Sequence, residues 1–271
     1  MKLFRAVLRS PGGIIGITMV CAISIMAIVA PFVAPYTATA LDFGNKLKPP
    51  TSDHWFGTDA LGRDIFSRVL HGARLSLLSA IMVVTNAIIL GSVAGAVGGY
   101  FGGAVDLLLM RVTDVFLAFP FLILAMAVAA ALGPHFLNAV LALSAVWWPS
   151  YARLVRSLTL SLRETEFVQA SRAIGAGPAM IIRRHIFPNC VSQILAKATT
   201  DFGFAILVTA SLGFVGLGAQ PPSPEWGAMI AEGRTFILRY WWAATFPGLA
   251  IVVSVLGFSL LGDAIQEKLP R

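Results

Sequence analysis

The chain has 271 residues, 57% of them hydrophobic and only 12% charged, with a formal net charge of +7 and a mean hydropathy of +0.81. No water-soluble core could hide that much apolar surface, so the composition excludes an ordinary soluble domain and indicates an all-α polytopic membrane protein. The basic residues flank apolar runs, a pattern of membrane topology that speaks against a nucleic-acid partner.

In chain order, Lys2, Arg5 and Arg9 precede an apolar run, and Ala38-Thr-Ala40 has the small-x-small look of a cleavage site. The run from Ile14 to Ala34 is long enough to cross a bilayer and too long for a signal-peptide core, so it reads as a retained first helix. Five further segments reach crossing length: Leu75–Tyr100, Leu107–Leu132, Phe136–Leu160, Val191–Leu217 and Ala243–Leu261. The expectation is six transmembrane helices. It divides the chain into 1–34 (N-terminus and first helix), an extracytoplasmic loop 35–74, and a five-helix core 75–271 with a cytoplasmic loop 161–190 and an extracytoplasmic loop 218–242.

The leading basic residues place the N-terminus in the cytoplasm. Helix counting then puts the loop after the fourth segment on the same side, where Arg153, Arg156, Arg163, Arg172, Arg183, Arg184 and Lys197 cluster. Six spans return the C-terminus to the cytoplasm. Arg68 and Arg74 go against the rule. In the first outer loop a helix-like stretch runs from Gly62 to Leu70, and in the second Pro221-Pro-Ser-Pro224 leads into a short helix, suggesting a re-entrant or surface scoop. Gly91/Gly95/Gly99 and Gly12/Gly16 have the spacing that lets helix backbones approach closely, and packing within the chain is favoured over a dimer interface.

Few residues invite chemistry. His54, Asp59 and Asp64 match no standard metal-ligand spacing, and turn or capping roles beside glycines are favoured. Lys197 and Asp201, four apart, share a helix face and read as an ion pair near the cytoplasmic end, as do Arg111 and Asp114. Trp147-Trp148 and Trp241-Trp242 read as interface anchors. Cys21 and Cys190 form no framework. There is no GxxxxGK[ST], HExxH or GxSxG sequence, so the chain carries no nucleotide-binding or catalytic motif of its own and calls for no cofactor or metal.

The most informative stretch is Glu166-Phe167-Val168-Gln169-Ala170-Ser171-Arg172-Ala173-Ile174-Gly175-Ala176, a charged helix-like insert between apolar segments. Gly175-Ala-Gly-Pro178 would stop the helix. Phe167, Ala170, Ser171 and Ile174 form one small-to-apolar stripe at i, i+3, i+4 and i+7. Docking to a cytoplasmic partner and resting on lipid headgroups both fit that pattern.

The insert resembles the EAA loop of ABC-importer permeases, with Gln169-Ala170-Ser171, Gly175 and Pro188 at the family spacing; Gln169 stands where the family has glutamate and Ser171 where it has a second alanine. His54-Trp-Phe-Gly-Thr-Asp-Ala-Leu-Gly-Arg-Asp-Ile-Phe-Ser-Arg68 resembles the signature of the dipeptide/oligopeptide/nickel permeases, specifically their C-type subunit. Phe214-Val-Gly-Leu-Gly218, Pro224-Glu-Trp-Gly227 and Leu261-Gly-Asp263 resemble further signatures of that group. The resemblance implies the MetI-like fold of type I ABC importer permeases in a bacterial inner membrane. It implies a homologous second permease, two ABC ATPase subunits and an extracytoplasmic solute-binding protein as partners. It implies that Glu166–Ala176 is the ATPase-coupling helix, that ATP is hydrolysed in partner subunits, and that peptides are the leading substrate, with nickel or its chelates the alternative. A self-sufficient secondary transporter would call for unpaired mid-membrane acids or histidines and two matching halves, neither of which is visible.

Overall fold

The computed structural model describes Val7 and residues 10–268; Lys2, Arg5 and Arg9, on which the orientation partly rests, lie outside the described residues. The described residues are helical, with a single isolated bridge between Thr58 and Asp64. Helix α1 spans Pro11–Val33, with Pro11 at its first turn, where a missing N–H costs nothing, and the Ser10 hydroxyl accepting from Gly13 N at 3.2 Å.

Helix α2, Ile65–Phe101, differs from expectation. The stretch near Gly62–Leu70 and the span from Leu75 are one helix of 37 residues. Asp64 starts it by accepting the Ser67 N–H at 2.7 Å, and no breaker follows before Gly102, whose φ is +66°. At about 55 Å it exceeds the ~30 Å hydrocarbon layer, so its first turns belong with the 35–64 loop.

The third expected span is broken. Helices α3 (Gly103–Leu117) and α4 (Phe121–Leu132) meet at an angle of 89°. Pro120 is the cause: it has no N–H to donate, and it disfavours helical backbone at the residue before it. Helix α5 covers Phe136–Arg163 and is followed by the short helix α6, Glu166–Ala173. Then α7 (Pro178–Ile181), a wide π turn (Ile182–Ile186) and α8 (Phe187–Val215) run on as one 38-residue helix, longer at its start than the expected span. The π turn precedes Pro188, which cannot donate to Arg184, and the extra residue absorbs that lost bond. Helix α9 (Trp226–Gly233) fills the second outer loop, and α10 (Trp242–Glu267) closes the bundle.

Among the described residues four helices are long and apolar enough to cross a bilayer, α1, α2, the 178–215 helix and α10, and the count is five if the bent α3–α4 pair is one span. Helix α5 has the length for a sixth but carries Arg153, Arg156 and Arg163. The protein is thus a multi-pass membrane protein of approximately six spans.

α2 packs along α5, and α10 lies between α1 and α8. The glycine seams work within the chain. A Cβ on Gly91 would lie 2.5 Å from Trp148 O and from the Tyr151 Cβ, and one on Gly99 would lie 2.8 Å from the Thr159 Cβ. Gly16 meets α10, where a Cβ would be 2.6 Å from Leu261 N.

At the end away from α6, the 35–64 and 218–241 loops lock together. Arg63 and Arg68, both buried, share Glu232: Arg63 Nη2 to Oε2 is 2.6 Å and Arg68 Nη2 to Oε2 is 3.1 Å. Asp59 Oδ2 takes Arg63 Nε at 2.6 Å, and His54 Nδ1 lies 2.9 Å from Asp64 Oδ1. The turn and capping roles expected for Asp59 and Asp64 hold, and Arg68 is paired with Glu232 and Asp59. The Trp226 indole donates to Val69 O at 3.0 Å and the Trp242 indole to Thr58 O at 3.2 Å. Trp242 is therefore a buried tie and not an interface anchor, whereas Trp241 stays half exposed.

Buried Glu225 caps α9, accepting from Gly227 N and Ala228 N, each at 2.9 Å. Burial pushes its carboxyl up to about 7 from 4.5, against the pull of those two bonds. The folded chain therefore holds this proton where the unfolded chain has lost it, so the stabilisation is complete below pH 4.5 and is lost as pH rises through 7. Hydrogen exchange over residues 224–233, corrected for intrinsic rates, should show protection falling between pH 5 and pH 8, and Glu225→Gln should flatten that dependence. Gly95→Ala should lower the thermal midpoint in detergent by overpacking the α2–α5 seam, a cost of roughly 1–3 kcal/mol. Gly248→Ala, with nothing within 4 Å of the added Cβ, should leave the midpoint unchanged.

Candidate functional site

Helix α6 hangs between two long helices, and its ends follow from local chemistry. It starts after Thr165, whose hydroxyl donates back to Leu162 O. It ends at Ala173, not at Ala176 as expected. Ile174 is its cap, Gly175 takes a left-handed φ of +86°, Gly175 N bonds Arg172 O at 3.0 Å and Ala176 N bonds Ser171 O at 3.1 Å. This paired closure requires a residue at positive φ, which glycine supplies without strain. Pro178 then opens α7 at its first turn.

One residue of α6, Val168, is fully buried and anchors it to the bundle. Side-chain contacts tie it to α2 and to the turn leading into α8, and α5 runs into it through Glu164 and Thr165. Arg172 lies over the Tyr100 ring at 5.4 Å, at the end of α2. Ser171 Oγ is 3.2 Å from His185 Nε2, in the π turn leading into α8. Arg163, ending α5, donates to Gly99 O at 3.0 Å. The Gln169 amide donates to Glu164 O at 3.0 Å, a bond an ionised glutamate could not make. The departure from the family residue thus has a structural use.

The expected stripe is left open. Phe167 and Ala170 are exposed and Ile174 is 86% exposed, while Ser171 is turned partly towards His185. Glu166, Arg172 and Ala173 are also on the surface. Arg183 and Arg184 line an adjoining groove with Ala179 and Met180, so the face combines an apolar ridge with basic flanks. A helix of eight residues, fixed by one buried side chain and presenting apolar residues, is marginal on its own.

Other expected pairs are redistributed. Asp114 pairs with Arg153 at 2.8 Å rather than with Arg111, because α3 lies against α5. Asp106 binds Arg156 through both oxygens. Lys197 and Asp201 do pair, at 3.1 Å. They stand halfway along the 178–215 helix, however, because that helix begins thirteen residues before the expected span. The Trp147 indole, expected at an interface, is buried and donates to Asp201 Oδ2 at 3.3 Å. The Lys197 ammonium sits 5.1 Å from the centre of the Tyr151 ring. Each residue stood in the sequence, but the register of α5 against α8, which gathers them, did not.

The comparisons agree with this geometry. The model of the binding-protein-dependent transport system inner membrane component matches residues 87–271, and that of the N-terminal TM domain of oligopeptide transport permease C matches residues 2–50. The dipeptide transport system permease protein DppC of Alkalihalophilus pseudofirmus is 43% identical, over 98% of this chain and 88% of its own. The probable D,D-dipeptide transport system permease protein DdpC of Escherichia coli K12 is also 43% identical, over 99% of this chain and 90% of its own. Among solved structures, a chain of the MetNI methionine ABC transporter in an inward facing conformation superposes with a TM-score of 0.60. It is 19% identical, covers 76% of this chain and 98% of its own, and so speaks to the fold alone. With both models matched in order and relatives this similar along almost the whole length, the chain belongs to the family of binding-protein-dependent transport system inner membrane components, as an ABC importer permease.

Proposed function

We propose that this chain is the permease subunit of an ATP-driven importer of small peptides, forming half of a translocation pathway. Family membership implies ATPase and substrate-binding partners. The assembly we infer contains a homologous second permease, two ABC ATPases and a solute-binding protein on the side of the 35–64 and 218–241 loops. Helix α6, with its cap through Ala176, is the coupling element, seated in an ATPase groove on the cytoplasmic side, where both termini also lie. The observation that carries this reading is the exposed Phe167–Ala170–Ile174 ridge on a helix tied to α2, α5 and α8. A contact made there moves three spans together, and the two sides of the membrane gain access in turn. The ATP is hydrolysed by the partners.

The substrate class rests on the relatives, whose names specify a dipeptide and, as probable, a D,D-dipeptide. Nickel or a chelate is the second reading within the family, and no observation in the structure favours it.

Two results test the proposal. Gentle-detergent purification of the tagged chain should recover a homologous permease and ABC ATPases, and the reconstituted assembly should accumulate dipeptides only with ATP and binding protein. A chain that purifies alone, or transports without ATP, contradicts it. Ile174→Glu leaves the fold intact because the side chain is 86% exposed, but should lower uptake about tenfold or more by placing an unpaired charge in the ATPase contact. Wild-type uptake by that variant would remove α6 from the coupling path.

A further inference from the structure

We propose that Lys197 and Asp201, with Trp147 and Tyr151, form a polar station on the open face of α8 that receives the carboxylate terminus of the transported peptide. The proposal rests on the peptide-importer reading above and adds to it a residue that contacts substrate.

Three observations converge. The first is position: Lys197 lies halfway along the 178–215 helix, and its neighbours Trp147 and Tyr151 are the twelfth and sixteenth of the 28 residues of α5. The second is asymmetry. Asp201 is buried and held by the Trp147 indole, whereas the Lys197 side chain remains 31% exposed. An ammonium facing acyl chains at this depth is costly, so the open flank of Lys197 faces protein or water. Three ammonium protons leave donors to spare after Asp201 is satisfied.

The third is the surface that Lys197 belongs to. Phe204 and Ser211 follow it at successive sevens on α8, with Leu207 between them, and this stripe is open. Towards the outer loops the stripe runs into an apolar groove of about 240 Å³, lined by Leu122 and Met126 of α4 and by Leu207, Ser211 and Ile230. An apolar track ending at a single ammonium suits a small peptide whose side chains slide and whose carboxylate stops.

The test uses the complete transporter in proteoliposomes with its binding protein. Lys197→Met alone would leave Asp201 buried and unpaired, so the decisive variant is Lys197→Met with Asp201→Asn, which removes both charges together. This double variant should assemble and retain basal ATPase activity, while dipeptide uptake falls about tenfold, the scale of one charge-assisted hydrogen bond. Lys197→Arg should keep most of the uptake. In a background with Cys21→Ser, Cys190→Ala and Asp201→Asn, which leaves no buried charge unpaired, Lys197→Cys should react with a membrane-impermeant cationic methanethiosulfonate, and dipeptide should slow the reaction. Wild-type uptake by the double variant, or an introduced thiol that stays unlabelled in both ATP-free and vanadate-trapped states, overturns the station and leaves the importer reading standing. A wild-type assembly that imports no peptide overturns both.

Discussion

The close approach of α2 and α5 is the constraint on which the rest of the molecule depends. Where Gly91, Gly95 and Gly99 face Trp148, Tyr151, Ala152 and Thr159, a single added Cβ has no room. Apolar surface gains little by leaving lipid, so van der Waals contact at this range and the satisfaction of polar groups must hold the helices together. The seam fixes the register of α5, and with it three other features. Arg163 reaches Gly99 O and steadies the entry to α6. Trp147 and Tyr151 are delivered to Asp201 and Lys197. The bent α3–α4 pair is pinned through Arg153 and Arg156.

The two ends of the bundle are built on different principles. Around Glu232 the charges are buried and mutually satisfied, so the outer loops form a rigid block standing on the first turns of α2. Breaking one partner of such a cluster leaves a buried charge uncompensated, which is far more costly than the net worth of the cluster itself. Around α6 the arrangement is reversed, with one buried valine, peripheral polar ties and an apolar ridge left to the surroundings.

Much of this was legible in the sequence because membrane helices announce themselves by length and apolar content. The spans near Ile14 and Phe136 begin and end close to their expected bounds, and the one near Ala243 begins there but runs on past Leu261 to Glu267. The charged insert, its glycine stop and its stripe were legible as well, since Gly175 and Pro178 leave the backbone little choice. What the sequence concealed was continuity and register. Pro120 breaks a run that hydropathy reads as one span, and the Asp64 cap joins a loop helix to a span that hydropathy separates. Pairing by sequence proximity misled at Asp114, whose partner comes from α5, and tryptophan placement misled at Trp147 and Trp242, whose indoles are satisfied inside the fold.

The central claim is that α6 is the point of contact with an ATPase, and cross-linking tests it most directly. A thiol introduced by Ile174→Cys on α6, in a background lacking the native cysteines, should join this chain to an ABC ATPase subunit, with a yield that changes between ATP-free and vanadate-trapped states. A thiol introduced by Leu238→Cys, in the exposed outer loop, should capture no ATPase. If Ile174→Cys yields no ATPase adduct in either state while the assembled complex is present, the account of this helix as the coupling element is contradicted.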